Sequence, residues 1–246
     1  MKILFSPSEK KKIGGIEGKI DSKSFIFPEL FNFRKKVIDK YIDFVNSASD
    51  ERLTHFFGIK DPKDFQKYKK DLYKAPLMKA IERYDGVAFN YLNYQTLDRD
   101  SQKYIDENVI IFSNLFGPIK AGDFGLPNYK LKQGEKIEDF AVEIFYKEHF
   151  SKALDEFLDE PFLDLRANFY NRFYKPKSDF ITLKFLKNNK VVSHWAKAYR
   201  GLVLRAVAQN KIKSIEEFMN IQIENLTIKE IVKRGKNSQI VFEIKS

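Results

Sequence analysis

The sequence predicts a mixed α/β (α+β) fold, a single compact domain over residues 1–246 with a central mixed sheet surrounded by helices. Three observations carry that expectation. Short apolar runs of strand type recur along the chain, separated by stretches with the 3.6-residue spacing of amphipathic helices. No internal repeat, linker-like tract or low-complexity segment divides the 246 residues. Apolar residues make up 43% and aromatic residues 15%, enough to bury a core of that size.

The elements follow in order. Lys2 to Phe5 is an apolar run stopped by Pro7, which suits an N-terminal strand. Gly14, Gly15 and Gly18 keep the chain loop-like as far as Phe27. From Pro28 onward, Leu30, Phe33, Val37, Ile38, Tyr41, Ile42 and Val45 recur at helical spacing and predict a long amphipathic helix. Asp61-Pro62 opens another helix to about Tyr73, and Pro76 a third to Arg83. Gly86 to Leu92 and Asn108 to Ser113 read as strands, joined by a polar helix over Leu97 to Glu107. Between Gly117 and Pro127 the glycines and prolines predict a compact loop without regular structure. Lys136 to Leu158 reads as one long acidic helix, and Phe162 to Leu165 as a strand. Asn188-Asn189 sits between Phe180–Leu186 and Val191–Trp195, and asparagine tolerates the positive φ of a two-residue turn, so a β-hairpin is predicted. A helix from about Trp195 to Gln209, a short one capped by Ser214, and a strand over Gln239 to Ile244 complete the chain.

Composition excludes several functional classes. Without cysteine the chain has no disulfide, no thiolate nucleophile and no cysteine ligand for an iron–sulfur cluster. The start turns polar by Ser8, too soon for a signal-peptide core, and no run reaches the roughly 18 apolar residues of a membrane span. A soluble, cytoplasmic protein with no membrane partner is the expectation. His55, His149 and His194 stand far apart without close ligand-type partners, so no metal site and no cofactor are predicted.

Charge directs attention to the C-terminal half. The formal net charge is +10. Between Arg166 and Lys213 twelve Lys and Arg face one acid, Asp179, whereas Glu135 to Asp164 holds ten acids against three lysines. A basic block of that density attracts polyanions such as nucleic acid, although solvated surface charge on a lysine-rich protein produces a similar count.

Three stretches present candidate site residues. The loop after the first strand carries Ser8, Glu9, Lys10, Lys11 and Lys12 before two glycines, at a strand end where open α/β sheets form binding crevices. Capture of a phosphate or carboxylate is one use, and a solvated charged turn is the other reading. The spacing of a phosphate-binding P-loop is absent. On the late helix Lys197, Arg200, Gly201 and Arg205 share an arc of about 140° at about 100° per residue. Glycine inside a helix costs roughly 1 kcal/mol relative to alanine, so a notch there either receives an anion or lets another element pack closely. Asn114 to Asp123 faintly echoes a helix-hairpin-helix, with Asn114 where a first hairpin glycine is wanted, and by itself reads better as a structural turn. Tyr129-Lys130 adds an aromatic ring and a cation just beyond.

Six ordered blocks then carry a resemblance. ILFSPSEKKKIGG (Ile3 to Gly15), YDGVAFNYL (Tyr84 to Leu92), SNLFGPIKAGDFGLPNYKL (Ser113 to Leu131), FLDLRANFY (Phe162 to Tyr170), HWAKAYRGLVLRAV (His194 to Val207) and Gly235-Lys236-Asn237 resemble, in order and spacing, the motifs of the YaaA family of peroxide-stress resistance proteins. The resemblance spans essentially the whole chain. It implies a cytoplasmic bacterial protein with an α/β fold particular to that family, which binds double-stranded DNA through a basic cleft and protects it from peroxide and iron-linked damage. Residue by residue it carries over to Ser8, Glu9 and Lys11, to Gly117, Lys120, Asp123, Tyr129 and Lys130, and to Lys197, Gly201 and Arg205. Lys120 and Lys130 stand where arginine is usual in the family, which keeps charge but loses bidentate phosphate geometry and weakens the helix-hairpin-helix reading.

From these residues the first expectation is a DNA-binding stress protein whose cleft is lined by Lys11, Lys120, Tyr129, Lys130, Lys197, Arg200, Gly201 and Arg205. The alternative is an enzyme on a small anionic or nucleotide substrate, with Ser8, Glu9, Lys11 and Asp123 as the catalytic candidates and Lys197 and Arg205 binding charge. A third reading is an interaction module built on the opposite-sign blocks around Asp164.

Overall fold

The computed structural model describes residues 1–245, and of Ser193 and His194 the backbone alone. His194, one of the three histidines weighed above, therefore has its side chain outside the described residues. The elements in chain order are β1 (Ile3–Phe5), α1 (Phe31–Ser47), α2 (Asp50–Phe57), α3 (Pro62–Phe65), β2 (Leu77–Lys79), α4 (Ala80–Arg83), α5 (Val87–Leu92), α6 (Arg99–Asn108), β3 (Val109–Ser113), β4 (Gly117–Lys120), β5 (Phe124–Pro127), α7 (Val142–Phe157), β6 (Phe162–Leu165), β7 (Phe180–Lys187), β8 (Lys190–Val191), α8 (Ser193–Gln209), α9 (Ile215–Asn220), β9 (Leu226–Arg234) and β10 (Asn237–Ile244).

One mixed sheet runs in the order β4-β3-β1-β6-β7-β10-β9, with β8 paired to β7, and β2 and β5 form a separate ribbon. The inner strands β3, β1, β6, β7 and β10 are mutually parallel. β1, β3 and β6 are buried along their whole length, as expected of parallel strands covered on both faces. The mixed α/β architecture predicted from the sequence is the one observed.

Most local expectations hold in kind, and the exceptions have physical reasons. Gly86 to Leu92 is a helix, not a strand: Phe89 and Leu92 turn inward one turn apart, and the Phe89 ring meets Phe5 of β1 at 5.4 Å. Asn93 in the left-handed region ends it after six residues. The predicted loop from Gly117 to Pro127 contains two strands. β4 tolerates Pro118 because it is an edge strand, where a missing N–H costs no ladder bond on the open side. This also removes the helix-hairpin-helix, since Ser113–Gly117 closes a β-hairpin between β3 and β4. The acidic helix starts at Val142 rather than Lys136, because Ile137 and Phe140 bridge across a turn with Glu138 at positive φ. The helices expected over Asp61–Tyr73 and Pro76–Arg83 are shorter, broken by 3-10 turns and by β2. The hairpin at Asn188-Asn189 forms with both asparagines at positive φ. Its second strand is only two residues long, and Trp195 already belongs to α8.

Candidate anion-binding cleft

The loop after β1 is held from three sides. Ser6 Oγ accepts the Ala167 N–H at 2.8 Å, which ties the ends of β1 and β6 together. Ser8 Oγ donates to the Asp85 carbonyl at 2.6 Å, and Lys10 Nζ meets the Asp85 carboxylate at the same distance. A Cβ on Gly86 would collide with Ser8 Oγ, so this approach requires glycine. Glu9 is clamped next. Its Oε2 accepts from Lys130 Nζ and its Oε1 from the Gln133 N–H, both at 3.1 Å. Burial acts to raise the Glu9 pKa, but the Gln133 bond, Lys130 and Lys11 outweigh it and hold the carboxyl below its ordinary value.

Lys11 lies beneath this loop. Its Nζ sits 3.9 Å from the centre of the Tyr129 ring and 5.3 Å from that of Tyr84, within reach of the Ser8 and Glu9 carbonyls at 3.4 and 3.3 Å. Burial, reinforced by Lys130, pushes its pKa down to about 7, with Glu9 opposing. Below it Tyr129 shares a 2.7 Å hydrogen bond with Ser113 and a 3.4 Å contact with Tyr84, all out of solvent. Tyr129 therefore forms the floor under Lys11 rather than an exposed stacking surface.

The parallel strands end at a cleft of about 390 Å³. One wall is the Ser6–Lys10 loop, another the start of α5, and Lys197 and Arg200 of α8 close the third. Asp85 and Gly86, which sequence reasoning did not single out, complete the junction; they lie within the Tyr84–Leu92 motif, where the signal was present. Neither Lys197 nor Arg200 has a hydrogen-bond or ion-pair partner among the described residues. Burial lowers the Arg200 pKa, and Asp164 opposes the shift.

Not every candidate converges here. Gly201 is buried, and its notch is filled by protein: a Cβ there would overlap the Ala88 carbonyl and come within 3.0 Å of Leu92 N. Arg205 turns to the end of α5, donating to the Leu92 and Asn93 carbonyls and to Thr96 Oγ1 at 2.9, 3.1 and 3.0 Å. Lys120 lies beyond the cleft, because β4 runs antiparallel to β3 and carries it toward the N-terminal end of β1, where its charge acts on Lys2. Asp123 accepts the N–H groups of Ile26 at 2.9 Å and Lys120 at 2.8 Å, and so pins the N-terminal loop to β4. Burial raises its pKa against those two bonds and the nearby Arg34. Asp123 thus has no place beside Glu9. A larger depression, about 730 Å³, lies between α2 and residues 134–138, where His55 Nδ1 meets Glu135 at 3.2 Å and Arg52 meets Glu138 at 3.9 Å.

The class so defined is a mixed-sheet α/β protein in which two cations, without a partner among the described residues, flank a cleft at the C-terminal ends of its parallel strands. Residues 1–231 match the family described as peroxide stress protein YaaA, and the chain belongs to that family. It is 52% identical over 245 residues to an uncharacterized protein of Campylobacter jejuni, covering 99% of both chains. It is 28% identical to a UPF0246 protein of Fusobacterium nucleatum, over 96% of this chain and 97% of that one. A UPF0246 protein of Corynebacterium glutamicum is 30% identical over 94% and 95%. Among the described residues no helix is long and apolar enough to cross a membrane.

Proposed function

We propose that this peroxide-stress family member binds double-stranded DNA across the cleft and shields it from oxidative, iron-linked damage in the cytoplasm. The observation that carries the reading is the pair Lys197 and Arg200, two cations one turn apart on α8 that face a cleft and have no protein partner among the described residues. Unpaired cations at a concave surface attract phosphate, and contacts of that kind give weak sequence preference and steep salt dependence. Lys10 and Lys130 flank the opposite wall, and their partners Asp85 and Glu9 keep them in place. Absence of cysteine agrees with shielding rather than peroxide consumption.

The test is duplex binding by fluorescence anisotropy from about 50 to 300 mM salt, the range in which the counterion-release effect is large. The Lys197→Ala/Arg200→Ala double variant should bind more weakly, with a log–log salt slope shallower by up to about 1.8 if each cation neutralises one phosphate. No binding at the lowest salt, or an unchanged double variant, overturns the reading.

A second reading is catalysis on a small anionic substrate, favoured by the placing of Lys11 next to Glu9: burial pushes the amine down to about 7, while, against burial, Gln133 and Lys130 hold the Glu9 carboxyl below its ordinary value. A base poised near the working pH is what proton transfer needs. Equal protection of peroxide-stressed cells by Glu9→Gln and by the wild-type protein would count against this reading.

A further inference from the structure

Arg200 lines two cavities. On its far side from the cleft lies a second one of about 420 Å³, inside the roughly 300–1,000 Å³ range of small-ligand sites. Its floor is the sheet itself. The register sets Asp164, Thr182 and Gln239 side by side across β6, β7 and β10, and Phe180 and Asn237 two residues before them. Inner parallel strands ordinarily present apolar residues on both faces, so three adjacent polar residues at one level mark a surface built for polar contact.

Each polar group has a distinct state. Asp164 is satisfied by Arg166, at 2.9 Å to Nε and 2.8 Å to Nη2. Thr182 Oγ1 donates to Asn237 Oδ1 at 2.9 Å, which fixes that carboxamide and leaves its NH2 group as a donor. Gln239 is half-buried, and among the described residues its carboxamide has no hydrogen-bond partner. Phe180 supplies a flat apolar wall whose other face stacks on Phe162 at 5.8 Å and 15°. Lys175 and Arg200 carry the positive charge, and neither is paired among the described residues.

We propose that this cavity is a single-nucleotide pocket: phosphate on Arg200 and Lys175, the base face on Phe180, and the base edge read by the Gln239 and Asn237 carboxamides. A carboxamide offers a donor and an acceptor side by side, the pattern that pairs with a base edge. The occupant is a free nucleoside 5′-monophosphate or one nucleotide swung out of DNA lying in the adjoining cleft. The second source rests on the DNA reading above, because Arg200 is where cleft and pocket meet.

Two measurements on the full chain separate the sources. In the first, binding of AMP and UMP is followed by calorimetry with inorganic phosphate and the unphosphorylated nucleosides as controls. A mononucleotide should bind more tightly than phosphate or nucleoside alone, and Gln239→Ala and Gln239→Glu should each weaken it by about tenfold, the size of one lost bidentate base contact. In the second, a duplex with 2-aminopurine at a mismatch is titrated by fluorescence and anisotropy together. Fluorescence should rise on binding as the base leaves the stack, and either Gln239 variant should abolish the rise, with duplex affinity falling by no more than about tenfold, the size of the lost base contact. Mononucleotide binding without duplex binding supports the pocket with a free ligand and removes the DNA reading. Duplex binding with no fluorescence rise and no mononucleotide binding overturns the pocket and leaves the DNA reading standing.

Discussion

The α-carbon of Gly201 in α8 rests on the carbonyl of Ala88 in α5, and no side chain fits between them. α5 forms one wall of the cleft while α8 presents Lys197 and Arg200, so this contact sets the cleft's width. Gly201→Ala gains about 1 kcal/mol of helix propensity but forces the two helices apart, an overpacking cost of roughly 1–3 kcal/mol or more at so close an approach. Net destabilisation of up to about 2 kcal/mol in urea unfolding is expected, together with weaker duplex binding. A more stable variant would show that the helices part freely.

Arg205 and Lys197 lie on the same helix and should behave oppositely. Arg205 binds the Leu92 carbonyl at the end of α5, which has no helical partner, and shares the Asn93 carbonyl with the Thr96 N–H and hydroxyl. Being partly exposed, its bonds should be worth about 1–2 kcal/mol rather than the full charge-assisted value. Arg205→Ala should therefore lower the urea midpoint and leave duplex affinity nearly unchanged, whereas Lys197→Ala should do the reverse. Equal loss of affinity in the two variants would put Arg205 back in the interface.

What the sequence disclosed depended on how local the determinant is. β1, α1, β3 and the Asn188-Asn189 turn were readable because apolar spacing or turn chemistry within a few residues decides them. α5 and β4 were misread because their states follow from neighbours distant in the chain, Phe5 for one and an unpaired sheet edge for the other. β9 was not foreseen, since it is largely exposed and its alternation of apolar and polar residues, kept over Leu226–Lys229, breaks at Glu230 beside a bulge. In the site, the motif residues around Ser8, Glu9, Lys11, Lys130, Lys197 and Arg200 do gather at one end of the sheet. Lys120, Asp123 and Arg205 belong to the same sequence motifs but lie elsewhere, because the antiparallel return of β4 and the rotation along α8 turn them away.

Asp123 should prove structural. Its carboxylate accepts from Ile26 and Lys120 and stands near buried Arg34, which itself donates to the Phe116, Pro118 and Ile26 carbonyls. Asp123→Ala leaves two N–H groups without their acceptor, a loss of about 2–4 kcal/mol at about 1–2 for each charge-assisted bond. Duplex affinity at a temperature where the variant is folded should match the wild type. A folded Asp123→Ala protein that no longer binds duplex would return this residue to the functional site.

Lys11 makes stability depend on alkaline pH. Burial, then Lys130, bring its pKa from 10.5 to about 7 in the folded protein. Between those values the unfolded chain holds a proton that the folded chain has released, so raising the pH favours folding, by up to about 1.4 kcal/mol per pH unit. Below pH 7 both states are protonated and the whole penalty of burying the ammonium is present; above 10.5 neither is, and the penalty is gone. Lys11→Met has no such group, while every other titrating residue is common to the two proteins. The difference in unfolding free energy between wild type and variant, measured in urea at pH 7, 8 and 9, should therefore shift steadily toward the wild type as pH rises. Parallel stability curves across that window would mean that the Lys11 amine keeps its proton in the fold, and would leave Glu9 without a neutral base beside it.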